Sequence, residues 1–159
     1  MAYTLKEIID IAIGIEEAGY DFYVRCGEQF KDLAIKDAFE FLAREEKGHR
    51  EIFRSMHINP AAPGNFTEEY FSYLRAIGGS RVFGTRENIA GEFTVSIVSP
   101  MDALRHAMTA EKDSILFYSE MKGLYLDDRE ATELLDRILA EERKHVIILA
   151  ELASQFSQS

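Results

Sequence analysis

The sequence predicts an all-α protein: a four-helix bundle made of two pseudo-symmetric helical hairpins joined by a long crossover, in a single domain over residues 1–159. Three observations carry this. Along four long segments the apolar residues return in alternating steps of four and three, the spacing of an inward-facing helical seam. A motif is written twice, as Ala43-Arg44-Glu45-Glu46-Lys47-Gly48-His49 and as Ala140-Glu141-Glu142-Arg143-Lys144-His145. Between the two copies, residues 57–98 lose the helical period and carry the breaks Asn59-Pro60-Ala61-Ala62-Pro63-Gly64 and Gly78-Gly79.

Thr4-Leu5-Lys6-Glu7 has the form of a capping box, so a first helix begins near residue 5 and runs to about Glu28. Its seam reads Leu5, Ile9, Ala12, Glu16, Gly19, Tyr23, Cys26 and Phe30. The second helix spans about Lys31 to Met56, with Ile35, Phe39, Leu42, Glu46, His49, Phe53 and Met56 facing in. Antiparallel helices bring together residues equidistant from their turn, which places Glu16 opposite Glu46 and closes a first hairpin over 4–56.

The connection 57–98 is too long for an ordinary loop. It suits a crossover that returns along the bundle, with a short helix over 67–77 where Tyr70, Phe71, Leu74 and Ile77 share a side, and an extended stretch over 93–98. Ser99-Pro100 then starts a third helix that runs to about Lys122, with Leu104, Met108, Glu111, Ile115, Tyr118 and Met121 as its inner stripe. Asp127 or Asp128 caps the fourth, which continues to about Ala153 with the seam Ala131, Leu135, Ile138, Glu142, His145, Leu149 and Leu152. Glu111 and Glu142 are equidistant from the turn between these helices, so the second hairpin, 99–153, copies the first. In each copy a Tyr follows the lone seam Glu by seven residues, as Tyr23 after Glu16 and Tyr118 after Glu111.

Composition narrows the function. The single cysteine, Cys26, excludes an internal disulfide and a Cys-x-x-Cys knuckle and suits a reducing compartment. No segment approaches the apolar length of a membrane span, and the N-terminus has no signal-peptide pattern, so a cytoplasmic location is expected. With 28 acidic against 18 basic residues the net charge is −10, which disfavours nucleic acid and anionic membranes and tolerates cations.

Glu46/His49 and Glu142/His145 are spaced three apart, on one helix face about a turn from each other, and they sit in the seam itself. Together with Glu16 and Glu111 they put four carboxylates into a bundle core, where an unpaired ion costs several kcal/mol. The four seams contain no Lys or Arg, so the chain offers no internal counter-ion. Two divalent cations would neutralise the four carboxylates, with His49 and His145 as neutral imidazole ligands. Mixed carboxylate and imidazole donors with open positions suit iron or manganese better than structural zinc, although affinity order alone leaves zinc open.

One Glu from each of two helices and Glu-x-x-His from the other two is an arrangement that resembles the ferritin-like di-iron carboxylate proteins. Within them the chain most resembles the rubrerythrin-type domain, over about residues 4–56 and 99–153, on Ile15-Glu16 through Tyr23, Glu45-Glu46-Lys47-Gly48-His49, Glu111 through Tyr118 and Glu141-Glu142-Arg143-Lys144-His145. The resemblance implies two iron ions bridged by Glu46 and Glu142, with Glu16 and Glu111 as terminal ligands. Two departures stand out: Ser114 occupies the place of a further family Glu, and the paired Cys-x-x-Cys of a rubredoxin domain is missing, so electrons would come from a separate donor protein.

The expected activity is therefore a rubrerythrin-type non-haem di-iron oxidoreductase reducing peroxide or dioxygen, with no catalytic residue separate from the metal centre. A ferroxidase or iron-handling protein and a structural metal-binding bundle are the alternatives. The short tail after Ala153 argues against a storage cage, and pseudo-twofold symmetry suits a homodimer. Tyr23 and Tyr118 are read first as core aromatics and second as hydrogen-bond partners of a ligand. Glu45 and Glu141 are read as surface charges, His57 and His106 as non-ligands, Cys26 as packing, and Gly19 and Gly48 as sites of close helix approach or room for metal.

Overall fold

The computed structural model describes residues 4–57, 66–78 and 97–158. Among these, five helices are present: α1 (Leu5–Gln29), α2 (Leu33–Ser55), α3 (Glu68–Gly78), α4 (Pro100–Gly123) and α5 (Arg129–Ser157). Thr4, Ser99 and Asp128 cap helices as expected, and Asp32, which the sequence pattern does not single out, caps α2. The Thr4 amide donates to Glu7 Oε2 at 2.7 Å, Asp32 accepts from the Ile35 amide at 3.1 Å, and Asp128 accepts from the Ala131 amide at 3.0 Å. Ser99 and Asp102 form a reciprocal box at α4, each accepting from the other's backbone amide, with Pro100 where its missing N–H costs nothing. The sequence leaves open Asp127 or Asp128 as the last cap; Asp128 is the one used.

Helix directions follow from contacts across the bundle. Tyr23 meets Glu111 while Tyr118 meets Glu16, so α1 and α4 run antiparallel. His49 meets Glu141 while His145 lies near Glu45, so α2 and α5 do the same. Since α1/α2 and α4/α5 are hairpins, every adjacent pair is antiparallel and the diagonal pairs, α1 with α5 and α2 with α4, are parallel. The chain leaving α2 must therefore travel back about 35 Å, the length of a 23-residue helix at 1.5 Å per residue, before α4 can begin. That return is the crossover. At its end Gln29 Nε2 donates to the Ile97 carbonyl at 3.1 Å, tying the end of α1 to the approach to α4.

The short helix α3, expected over 67–77, lies across α1 and α4 with Phe71 and Leu74 buried. Its last residue comes so close that a Cβ on Gly78 would stand 2.6 Å from a Phe117 ring carbon and 2.9 Å from Ile11 Cγ2. The expected extended stretch over 93–98 falls mostly outside the described residues; Ile97 and Val98 have no regular structure.

The seams of α1, α2 and α5 are buried as the periodicity requires, apart from half-buried Phe30. The stripe drawn for α4 needs correction. Met108 and Ile115 are only half-buried, whereas Ala107, Ala110, Ser114 and Phe117 join Leu104, Glu111, Tyr118 and Met121 inside. The packing of α3 explains part of the change, because it covers the Phe117 side of α4. No helix among the described residues is long and apolar enough to cross a membrane.

Candidate metal centre

Halfway along the bundle the apolar core gives way to six ionisable side chains. Glu16 on α1, Glu46 and His49 on α2, Glu111 on α4, and Glu142 and His145 on α5 are all buried. They form two sets, Glu16/Glu46/His49/Glu142 and Glu46/Glu111/Glu142/His145, and within each set the potential ligand atoms lie within 4.8 Å of one another. Glu46 and Glu142 belong to both. The reason is the repeat: each Glu-x-x-His helix faces the other, and each lone Glu flanks the pair from one side.

The polar atoms converge without satisfying one another. His49 Nδ1 stands 3.0 Å from Glu142 Oε1 and 3.6 Å from Glu16 Oε2, and His145 Nδ1 stands 3.2 Å from Glu142 Oε2, 3.4 Å from Glu111 Oε1 and 3.5 Å from Glu46 Oε1. None of these approaches is an aligned hydrogen bond. Glu16 Oε2, Glu46 Oε1, Glu111 Oε2, both oxygens of Glu142 and the Nδ1 atoms of both histidines are buried with no hydrogen-bond partner. Buried polar atoms are ordinarily paired, and a cluster of orphaned acceptors aimed at common points is what cation ligation needs. Hard carboxylate oxygens mixed with imidazole nitrogen fit iron or manganese.

Two tyrosines explain which oxygens are left free. Tyr118 donates its hydroxyl to Glu16 Oε1, and Tyr23 donates to Glu111 Oε1 at 2.5 Å. Each phenol thus occupies one carboxylate oxygen and leaves Oε2 without a partner; at Glu16 that free oxygen faces His49 Nδ1, whereas at Glu111 the phenol-bound Oε1 is itself the oxygen nearest His145 Nδ1. The seven-residue spacing places Tyr23 and Tyr118 not beside their own helix's Glu but opposite the other's, because α1 and α4 are antiparallel. Burial, reinforced by the nearby carboxylates, holds both phenols well above their usual range, so they remain donors. The hydrogen-bonding reading, placed second in the sequence, is what the geometry supports; packing is also served, since Phe53 lies against Tyr118 and Phe39 against Tyr23.

Without cations the cluster holds protons. Burial raises the carboxyls of Glu16, Glu46 and Glu111, and for Glu46 and Glu111 neighbouring carboxylates raise them further, well above the ordinary range. Burial also acts on Glu142, but contacts with Glu111, His145 and His49 outweigh it and hold that carboxyl well below the ordinary range. Burial alone would lower both imidazoles; the facing carboxylates overcome it, lifting His49 to about 12 and His145 to about 10.

Two residues read as surface charges belong to the site's outer edge. Glu141 Oε2 lies 2.8 Å from His49 Nε2, and Glu45 Oε2 lies 4.0 Å from His145 Nε2. The signal was in the repeat, which reads Glu-Glu-x-x-His in both copies. The other assignments resolve simply. His106 stacks on Phe22 at 5.0 Å, His57 is exposed, and Cys26 is buried with its thiol pushed up by burial. Ser114 is buried but donates to its own helix's Ala110 carbonyl at 3.0 Å, so it adds no ligand-like group to the cluster. Gly48 is not a point of close approach: a Cβ there would meet nothing within 4 Å.

Comparison with known proteins agrees with this geometry. An uncharacterised protein of Archaeoglobus fulgidus is 40% identical over 52 residues, covering 33% of this chain and 79% of that protein. A crystal structure from Thermotoga maritima, provisionally described as a ferritin-like diiron-carboxylate protein, superposes with a TM-score of 0.76 at 26% identity, covering 97% of each chain. The Rubrerythrin family profile matches residues 7–153, so this chain, with its carboxylate and histidine cluster in a ferritin-like bundle, belongs to the rubrerythrin family.

Proposed function

We propose that the chain is a non-haem di-iron oxidoreductase that reduces peroxide, or dioxygen, at a carboxylate-bridged pair of iron ions. The observation that carries this reading is the sharing of Glu46 and Glu142 between two buried donor sets. In this reading Glu46 and Glu142 would be shared by the two cations, Glu16 and His49 would complete one position, and Glu111 and His145 would complete the other. The four carboxylates then balance the charge of two divalent cations that the core could not otherwise hold. When bound, the pair supplies two electrons, one from each ferrous ion, enough to convert one peroxide and two protons to two waters.

The chain's own work is to hold geometry and charge. Tyr23 and Tyr118 each donate to one oxygen of Glu111 and Glu16, which holds both carboxylates in place and leaves their Oε2 atoms free for ligation. The six cluster side chains are all buried in the bundle core, which keeps bulk water out and strengthens every electrostatic contact inside. No nucleophilic side chain is required. Cys26 is buried away from the cluster's ligands, so in this reading the reducing equivalents reach the site from an external donor.

Anaerobic ferrous titration followed by peroxide tests the reading. Two irons per chain and rapid oxidation of both by one peroxide, repeated on re-reduction, support it. Oxidation by dioxygen followed by release of ferric iron would replace it with a ferroxidase, and a fully folded chain that binds no ferrous iron would leave a structural bundle.

A further inference from the structure

The two outer glutamates meet the imidazoles unequally. His49 turns Nδ1 into the cluster and Nε2 toward Glu141, whose Oε2 is 2.8 Å away, within hydrogen-bond reach. His145 also turns Nδ1 inward, but its Nε2, on a ring only 1% exposed, has no hydrogen-bond partner and stands 4.0 Å from Glu45 Oε2. The remaining oxygen of Glu141 lies 3.8 Å from Arg137 Nε, a solvent-side ion pair beyond hydrogen-bond distance. An imidazole that gives one nitrogen to a cation is fixed in tautomer and ring angle by the group that accepts from the other nitrogen, and an anionic acceptor also makes the ligating nitrogen more basic.

We propose that Glu141 is a positioning residue for His49, and that the longer reach from Glu45 to His145 makes the two halves of the centre unequal. The cation position built on Glu16 and His49 binds a divalent metal more tightly and fills first; the one built on Glu111 and His145 fills second. The proposal rests on the di-metal reading above. It predicts an asymmetry that the near-twofold repeat of the sequence conceals, since Glu45 and Glu141 occupy matching places in the two motifs.

Cobalt(II) titration of the full chain, followed by calorimetry and visible absorption, tests it. The wild type should take up two ions in two resolved steps. Glu141→Gln should weaken the tighter step roughly 10- to 100-fold, the range for loss of such a partner, and leave the weaker step within about two-fold. Glu45→Gln should change neither step appreciably. In the cobalt-loaded wild type, proton NMR should show two shifted imidazole N–H signals, with that of His49 exchanging much more slowly with water. Equal weakening by the two substitutions, no effect of Glu141→Gln, or two N–H signals exchanging alike would overturn the proposal while leaving the di-metal reading intact. A wild type that binds no cobalt would overturn both.

Discussion

The hydroxyl of Tyr118 donates to Glu16, a carboxylate on the other hairpin, and its repeat mate Tyr23 donates to Glu111 in return. These bonds link α1 to α4 at the level of the cluster and leave the Oε2 atom of each carboxylate without a partner. Tyr118→Phe or Tyr23→Phe leaves a buried carboxylate oxygen without its donor. Each change should lower the unfolding free energy of the metal-free chain by about 1 to 3 kcal/mol in urea titrations, the usual cost of stranding such a group. A phenylalanine variant as stable as the wild type would show that these phenols serve packing alone.

Removing ligands one at a time should separate shared from unshared carboxylates. Glu46 and Glu142 lie in both donor sets, Glu16 and Glu111 in one each. Elemental analysis after ferrous loading should therefore find no iron retained by Glu46→Ala or Glu142→Ala, and one iron per chain in Glu16→Ala or Glu111→Ala. Full occupancy in Glu142→Ala would sink the bridging assignment.

What could be read in the sequence, and what could not, divides along physical lines. The seams of α1, α2 and α5 were legible because a single helix face is buried and its period survives intact through Glu16, Glu46, His49, Glu142 and His145. The periodicity of α4 points to Met108 and Ile115, which are only half-buried, in part because α3 packs on the Phe117 side, a tertiary contact that no period within α4 encodes. Glu141 reads as a surface charge in the sequence because spacing places a residue on a helix but says nothing of how far it reaches across to the next one. The partners of Tyr23 and Tyr118 were hidden for the same reason: they depend on α1 and α4 being antiparallel, which the crossover's course decides.

Two glycines should respond to alanine in opposite directions. Gly48 lies in mid-helix on α2 with open space where a Cβ would go, so Gly48→Ala should raise stability by roughly 0.5 to 1 kcal/mol, through the lower chain entropy lost on folding. At Gly78 the Cβ would press on the ring of Phe117, which is fully buried and cannot swing away, and on Ile11. Gly78→Ala should cost about 1 to 3 kcal/mol, the range for overpacking. Thermal melts of the two variants check both signs, and a neutral Gly78→Ala would mean that α3 can lift from α1 and α4 at little cost.

Protons and cations compete for the same cluster, and this fixes how the chain responds to pH. In the metal-free protein the imidazoles of His49 and His145 are lifted from 6.5 to about 12 and about 10 by the carboxylates facing them. A group raised in the folded state contributes stability that is fully present below its unfolded value, near 6.5, and is lost as pH climbs through the folded values. The raised carboxyls of Glu46 and Glu111 act in the same direction, since their protonated forms favour the fold and are progressively given up as pH rises above the unfolded value of 4.5. Only Glu142, held low, contributes stability that appears above 4.5 and is lost on acidification. The melting temperature of the metal-free chain should therefore fall between about pH 6.5 and pH 10. Divalent cations replace those protons, so metal binding should release protons into solution and tighten as pH rises over the same interval. Calorimetric titration in buffers of different ionisation enthalpy counts the protons released. A metal-free melting temperature that rises toward pH 10, or metal uptake that releases none, would show that the cluster is not held together by shared protons.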